Sequence, residues 1–471
     1  MASVVTLHLR EKFSTHNGIS KLCQENGDTG GVRRIKPESP ETGIERGRGG
    51  AASCIRGFPS RAKQHILIGM PKLSIRDLDL ANKRVLIRVD FNVPVKDGVI
   101  TDDTRIRETL PTLEYALRHK AKVILCSHLG RPKGKPVESM SLRPIVTRLR
   151  VLLDQVFNES ENVAFSPDCV GEIAKEMARE LESGQTLLLE NLRFHPEEEA
   201  NDPAFAKQLA ELCDLYVNDA FGTAHRAHAS TEGITHFVAQ SAAGLLMEKE
   251  LNFLGKVLTQ PDRPFVAIIG GSKISGKIDV IDNLLDKADT LLIGGGMAYT
   301  FLNALGQSTG KSLIEADKID VAKAALEKAK ARGVKLLLPI DHVLADKFAA
   351  NTKTQIFSGK GEFPADWMAL DIGPATIDLF AKEIADARTI LWNGPMGVFE
   401  LAPFAHGTNA IAELVAANRD ATSIVGGGDS VAALHQAGVA DRITHISTGG
   451  GASLEFLEGK TLPGVAALTD K

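Results

Sequence analysis

RVLIRVDF (84–91), KVILCSHL (122–129), TLLLENL (186–192) and LYVNDA (215–220) are short, β-branched, apolar runs separated by stretches with helical spacing. The same alternation returns in FVAIIGG (265–271), TLLIGGG (290–296), KLLLPID (335–341), TILWNG (389–394), SIVGGG (423–428) and ITHIST (443–448). Runs that are apolar on both faces suit parallel strands covered by helices on each side. Intervening segments such as DPAFAKQLAELCDL (202–215) and DVAKAALEKAKARG (320–333) carry the period of amphipathic helices. Strand–helix alternation predicts an α/β fold with parallel sheets. About ten strands are many for one sheet, so two sheets in two lobes are expected. The boundary falls near AAGLLMEKELNFLGKVL (242–258), which is followed by PDRP (261–264).

Around that core the composition is that of an ordinary folded chain: 471 residues, 24% charged and 43% hydrophobic. Wholesale disorder, collagen and coiled coil are excluded, and no apolar run approaches the ~18–20 residues of a membrane span. A net charge of −4 leaves no global basic footprint for nucleic acid. Cys23, Cys54, Cys126, Cys169 and Cys213 are odd in number and form no C-x-x-C, so they read as reduced thiols in a cytoplasmic chain. Residues 1–69 differ from the rest, with eleven Lys/Arg against six Asp/Glu and ten of the 43 glycines. Such a stretch buries too little apolar surface to offset its ordering entropy. A disordered tail, a transit peptide and translated upstream sequence ahead of Met70 compete. The six acidic residues count against a transit peptide, and an upstream extension with no role in the fold is favoured.

The strands end in two kinds of chemistry. Ligands of open parallel sheets bind beyond the strand C-termini. The first set runs into Asp90-Phe91-Asn92, Ser127-His128-Leu129-Gly130-Arg131, Glu190-Asn191-Leu192-Arg193 and Asn218-Asp219-Ala220, with Arg226 just beyond. The second set runs into Gly270-Gly271, Gly294-Gly295-Gly296, Asn393-Gly394-Pro395 and Gly426-Gly427-Gly428-Asp429. Arg105, Arg131, Arg193 and Arg226 would repel one another unless an anion lay among them, and guanidinium forks suit carboxylate and phosphate. Bare backbone at helix starts binds phosphates. One lobe is therefore expected to hold a small polyanion and the other a nucleotide, with reaction in the cleft between them.

Single motifs are weaker. Residues 271–278, GSKISGKI, match a phosphate loop except that Ile278 replaces the Mg²⁺-binding hydroxyl. They read as a strand-end turn with Lys273 and Lys277 reaching phosphates, against a solvated charged turn. GQSTGKS (306–312) is one residue short of the same motif and reads as a surface turn. The glycine triplets lack the third small residue of a dinucleotide fingerprint, since Tyr299, Val431 and Leu454 stand there. A nicotinamide oxidoreductase is thus a distant alternative. Asp429 suits a Mg²⁺ ligand and a helix-start carboxylate equally. His225 and His228 lack a third metal ligand. His128 suits a donor to an anion better than a general base, because a carboxylate acceptor is already deprotonated near neutral pH. Asp90 and Asn92 suit a substrate hydroxyl.

VLIRVDFNVPV (85–95), SHLGRP (127–132), ENLRF (190–194), NDAFGTAHRAHAS (218–230), GGSKISGKI (270–278), GGGMAYTFL (294–302), WNGPMGVFE (392–400), GGGDS (426–430) and TGGGASLEFLEGKTLPG (448–464) together closely resemble the 3-phosphoglycerate kinase family, from about residue 72 to the C-terminus. The resemblance implies two Rossmann-like lobes joined by a hinge helix in a monomer. Residues 70–245 would bind phosphoglycerate, with 452–471 packing back on them, and 246–451 would bind nucleotide. The implied reaction is reversible transfer between 1,3-bisphosphoglycerate plus ADP and 3-phosphoglycerate plus ATP, with Mg²⁺, in glycolysis. By motif, Asp90, Phe91, Asn92, Arg105, His128, Leu129, Gly130, Arg131, Arg193 and Arg226 would bind the phosphoglycerate. Lys277 and Gly427, Gly428, Asp429 and Ser430 would hold the nucleotide phosphates, with Asp429 on the metal, and Gly271 and Asn393 would also bind the nucleotide. Glu400 would take the ribose, while Gly294, Gly295, Pro395 and Val398 border the adenine. Arg105, Lys273, Lys277, Gly449 and Gly450 form the implied catalytic set. Ser430 stands where many members have Thr, and Ala369 where many have Gly; neither change disturbs the expected activity. A non-catalytic nucleotide- and anion-binding protein on the same scaffold is the alternative, and retention of the lysines, arginines and Asp429 counts against it.

Overall fold

The computed structural model describes residues 71–157 and 163–471; the expected extension 1–69 lies outside them. Strands β1 (Arg84–Arg88), β4 (Lys122–Cys126), β5 (Val163–Phe165), β6 (Thr186–Leu188), β7 (Leu215–Asn218) and β8 (Ser241–Ala243) form one sheet in the order β5-β6-β4-β1-β7-β8. Every pairing in it is parallel. A small antiparallel hairpin, β2 (Val95–Lys96) and β3 (Val99–Ile100), follows β1. The second sheet contains β9 (Phe265–Ile269), β10 (Thr290–Ile293), β11 (Lys335–Leu337), β15 (Thr389–Asn393), β16 (Thr422–Gly426) and β17 (His445–Ile446). Its order is β11-β10-β9-β15-β16-β17, again all parallel. The α/β fold with two parallel sheets is therefore present.

The apolar runs form strands because both of their faces are covered. Leu86 packs into one core, whereas its neighbours Val85 and Ile87 pack into another on the opposite face. In β9, Phe265, Ala267 and Ile269 face one way and Val266 and Ile268 the other. This is the period-two split of a sheet buried on both sides. The core containing Leu86 continues through Met247, Leu254 and Val257 to Phe265 and Leu291, so one apolar body runs from the first sheet to the second. At roughly 25 cal/mol per Å² of apolar area removed from water, burial on both faces is what holds these short strands.

Besides the hairpin β2–β3, five strands are absent from the strand reading. β5 and β8 are only three residues long, and β8, with the sequence Ser-Ala-Ala, has no β-branched residue. β12 (His342–Ala345), β13 (Thr354–Phe357) and β14 (Met368–Ile372) make a separate antiparallel sheet in the order β13-β12-β14. β13 is nearly all exposed, so it lacks the apolar signature of the buried strands. Ala369 of β14 is buried with Tyr299, Leu302, Leu344 and Phe363 in a small apolar cluster.

The helix Leu245–Thr259 leads from the first sheet to the second. At its start Asp219, beyond the end of β7, accepts from the Leu246 N–H at 2.9 Å and the Met247 N–H at 3.2 Å. Those amides are ones that an α-helix cannot satisfy itself. Burial raises the Asp219 pKa from 3.8 to about 7, although Thr112 and the two amides oppose it. A carboxyl whose pKa is raised on folding contributes stability that is complete below its unfolded value and is lost as pH rises through about 7. Asp219→Asn keeps an acceptor and removes the charge. Urea unfolding at about pH 5 and pH 8 should show a smaller loss of stability across that range in the variant than in the parent. Equal slopes would remove Asp219 from the pH dependence.

The C-terminal segment returns to the first sheet. Thr469 N–H donates to Ser241 O at 3.0 Å, Leu73 N–H to Thr469 O at 2.9 Å, and Gly464 N–H to Ala224 O at 2.9 Å. The Lys72 ammonium reaches Ala466 O, Leu468 O and Asp470.

Candidate active site

In each sheet the chain reverses its direction of progress between two neighbouring strands, and a crevice opens beyond their C-terminal ends. In the first sheet that point lies between β1 and β7; in the second it lies between β9 and β15. The first crevice is bordered by Asp90-Phe91-Asn92 and the second by Gly270-Gly271 and Asn393-Gly394-Pro395.

At the first crevice Asp90 is ion-paired with Arg105. Burial alone would raise the Asp90 pKa, but the charged groups around it, the Arg105 and Arg88 guanidiniums among them, outweigh it and hold the carboxylate below its ordinary value. The β4–loop junction is fixed by hydrogen bonds: Phe91 N–H donates to Ser127 Oγ at 2.8 Å, and Gly130 N–H to Asn92 Oδ1 at 2.9 Å. Asn191 grips the same loop, accepting from Leu129 N–H and donating to Leu129 O. Arg193, in the turn Leu192–Phe194, is buried and donates through Nη1 to Gly130 O at 2.9 Å. Its Nε lies 3.1 Å from Glu199 without the alignment of a hydrogen bond, and its Nη2 has no partner. Burial pushes the Arg193 pKa down, with Glu199 opposing and Arg88 and Arg226 adding to the pressure. Arg131 is exposed on the His128 loop, and among the described residues neither it nor Arg226 has a carboxylate within 4.0 Å. A buried orphan donor beside unpaired guanidiniums is an electrostatic demand for an anion.

The second crevice is lined by backbone. Gly295 has φ +68°, and a Cβ there would stand 2.5 Å from Gly271 O and 2.9 Å from Pro395 O. Only glycine permits this convergence of three strand-end turns. Ser430, at the start of the helix Gly428–Gln436, accepts from Gly394 N–H at 2.6 Å and so ties that helix to the end of β15. Asn393 is 2% exposed, and its Nδ2 is buried without an acceptor, facing Gly427. Asp429 is exposed at the same helix start and makes no ion pair among the described residues. Val398 donates its N–H to Leu370 O, whereas Glu400 is exposed.

The two lysines of the 271–278 turn differ. Lys273 is exposed near Glu315, whose carboxylate accepts from Ile274 and Ser275 N–H and so pins the turn. Lys277 lies across the crevice, donating to Gly270 O at 2.7 Å, Asn393 O at 2.9 Å and Asn393 Oδ1 at 2.7 Å. Its three donors are thus committed to joining β9 to β15. Burial lowers its pKa from 10.5 to about 8, with Asp429 opposing. If its charge supports nucleotide binding, kcat/KM for ADP should fall as pH rises through about 8. Lys277→Arg should move that fall out of range, because guanidinium stays charged. A profile flat to about pH 9.5 in the parent would contradict this.

The loop after β17 of the second sheet reaches the first crevice. A Cβ on Gly222 would stand 2.8 Å from Asp90 Oδ2, 3.6 Å from Thr448 O and 3.8 Å from Arg105, so the absence of a side chain lets these groups converge. Gly449 lies against the Phe221 ring. Glu250, fully buried on the helix between the sheets, accepts from Thr448 N–H at 2.7 Å and from His445 Nε2 at 2.9 Å. The sequence reading singled out Gly449 and Gly450 but missed Gly222, Glu250 and Arg88. A charged residue inside the apolar run RVLIRVDF was the visible sign of Arg88; nothing local marked Glu250.

The phosphoglycerate kinase family model matches residues 75–460. The phosphoglycerate kinase of Acidobacterium capsulatum is 74% identical over 404 residues, which are 85% of this chain and all of that one. That of Koribacter versatilis is 69% identical over the same span. Among solved structures, the phosphoglycerate kinase of Coxiella burnetii is 44% identical with a TM-score of 0.77, covering 84% of this chain and 98% of its own. That of Pyrococcus horikoshii is 33% identical with a TM-score of 0.71 at the same coverage. Two crevices of opposite chemistry and full-length likeness to these enzymes lead to one assignment: the chain belongs to the phosphoglycerate kinase family.

Proposed function

We propose that this chain performs the family reaction, reversible transfer of a phosphoryl group between 1,3-bisphosphoglycerate plus ADP and 3-phosphoglycerate plus ATP, with the first lobe (70–245, joined by 452–471) holding phosphoglycerate and the second (246–451) holding nucleotide. The observation that carries the residue assignment is the buried, half-partnered Arg193 with Arg226 near it, in the lobe whose strand ends carry guanidiniums, while the strand ends of the other lobe carry bare amides. Arg193, Arg131 and Arg226 take the phosphate and carboxylate, Asp90 and Asn92 the hydroxyl, and His128 donates. On the other side Asn393 Nδ2 and the amides from Gly427 to Ser430 take nucleotide phosphates.

The acceptor carboxylate is ionised at neutral pH, so no general base is required. Catalysis is then positioning plus stabilisation of charge on the equatorial oxygens. Arg105 from the first lobe, Lys273 from the second and the Gly449–Gly450 amides between them would supply it. Asp429, exposed and unpaired beside the orphaned Asn393 amide, fits a Mg²⁺ ion, which takes one or two carboxylates plus phosphate oxygens. That ion would neutralise phosphate charge when bound. Because the cations belong to both lobes, closure about the helix Leu245–Thr259 would complete the site. Both crevices lie in one chain, which supports action as a monomer. Cys126, Cys169 and Cys213 are free and buried, which supports a reducing, cytoplasmic setting. No helix among the described residues is long and apolar enough to cross a membrane. ATP consumption that needs both Mg²⁺ and 3-phosphoglycerate tests the reading; ATP turnover indifferent to 3-phosphoglycerate, or nucleotide binding without turnover, would favour a non-catalytic binder.

A further inference from the structure

We propose that Arg88 is a positioning residue for the phosphoglycerate site: its guanidinium fixes His128 as the tautomer protonated on Nε2, so that Nε2 always presents a donor to the anionic substrate. The proposal rests on the site reading given above. Arg88 is fully buried within β1. Its Nη2 stands 3.2 Å from His128 Nδ1, its Nη1 donates to Val89 O at 2.7 Å, and its Nε to Ser230 Oγ at 3.3 Å.

The tautomer follows from the donor inventory. A guanidinium has only donors and is never deprotonated in proteins, so a ring nitrogen facing it must accept. A neutral imidazole has one acceptor and one N–H. With Nδ1 accepting from Arg88, the proton belongs to Nε2, for which the structure provides no protein partner. The opposite tautomer would bring two N–H groups face to face. Asp90 Oδ1 is 3.9 Å from Nδ1, beyond hydrogen-bond reach, and does not compete. Arg105 and Arg193 also face the ring and disfavour a second proton, as does burial, which pushes the His128 pKa well below its ordinary value against the pull of Asp90.

Arg88 is itself held. Ser230 Oγ, which accepts from Arg88, donates to Glu198 Oε1 at 2.6 Å, and Ser230 N–H donates to Glu198 Oε2 at 2.9 Å. Tyr216 fixes the Ser230 backbone through a 2.6 Å bond to its carbonyl. The result is a relay, Glu198–Ser230–Arg88–His128, whose first three members are fully buried and which ends on a residue of the substrate crevice. A histidine free to switch would spend part of its time pointing a lone pair at an anion.

The test is a ¹⁵N spectrum of the full chain labelled at histidine, with His128 assigned by the signals lost in His128→Gln. The wild type should show Nδ1 unprotonated and Nε2 protonated between about pH 6 and pH 8. Arg88→Met should shift the ring toward the Nδ1–H form and raise KM for 3-phosphoglycerate roughly tenfold or more, the scale of a lost hydrogen bond to a charged group. KM for ATP should stay unchanged, and Arg88→Lys, which keeps a cationic donor, should restore the Nε2–H form. A wild-type Nδ1–H form, or an Arg88→Met protein with an unaltered tautomer, would overturn the proposal. Should Arg88→Met fail to fold, the wild-type and Arg88→Lys spectra still decide it. Absence of 3-phosphoglycerate-dependent turnover in the wild type would count against the site reading, whereas the spectrum judges Arg88 alone.

Discussion

Lys273→Ala should lower kcat by two to three orders of magnitude while KM for either substrate changes little. Lys273 is exposed, makes no ion pair within 4.0 Å among the described residues, and is set on a turn that Glu315 holds in place through the Ile274 and Ser275 amides. Its removal therefore leaves the fold and the crevice backbone intact. What is lost is a cation placed where charge develops on the transferring group. Loss of one such contact costs about 3–4 kcal/mol of transition-state stabilisation. Steady-state kinetics in both directions check this, and unchanged turnover would remove Lys273 from the mechanism.

Arg193→Ala should act differently. It removes the buried guanidinium whose Nη2 lacks a partner, and KM for 3-phosphoglycerate should rise at least tenfold. A hydrogen bond to a charged group contributes about 1.5–3 kcal/mol, and this one is made in the ground state as well as the transition state. KM for ATP should hold, because Arg193 is bonded only to its own lobe through Gly130. If ATP binding alone suffered, the roles of the two lobes would be reversed. Some stability is lost as well, since Gly130 O would lose its donor.

Much of this was legible in the sequence because sheets covered on both faces need apolar residues at every position. β1, β4, β9, β10 and β15 have that character and were readable as strands. β8 was not, because Ser-Ala-Ala gains its place from β7 and the C-terminal segment rather than from its own propensity. β12–β14 were hidden because their sheet is antiparallel and short, and its edge strand β13 is exposed. At the site, strand-end position marked Asp90, His128 and Asn393. Position could not reveal that Lys277 spends its donors on Gly270 O, Asn393 O and Asn393 Oδ1, between β9 and β15. Nor could it show that Glu250 reaches Thr448 across 198 residues of sequence. Such contacts are set by tertiary approach, to which local pattern is blind.

The division of labour between the crevices can be tested by calorimetric titration of 3-phosphoglycerate and of Mg²⁺-ADP into the wild type, Arg226→Ala and Asp429→Ala. Among the described residues neither side chain has an ion-pair partner within 4.0 Å, and the Lys277 ammonium that Asp429 supports keeps its three oxygen acceptors in Asp429→Ala. Arg226→Ala should weaken 3-phosphoglycerate and spare the nucleotide, and Asp429→Ala should do the reverse. Weakening of both ligands by both substitutions, or the opposite pairing, would contradict the account.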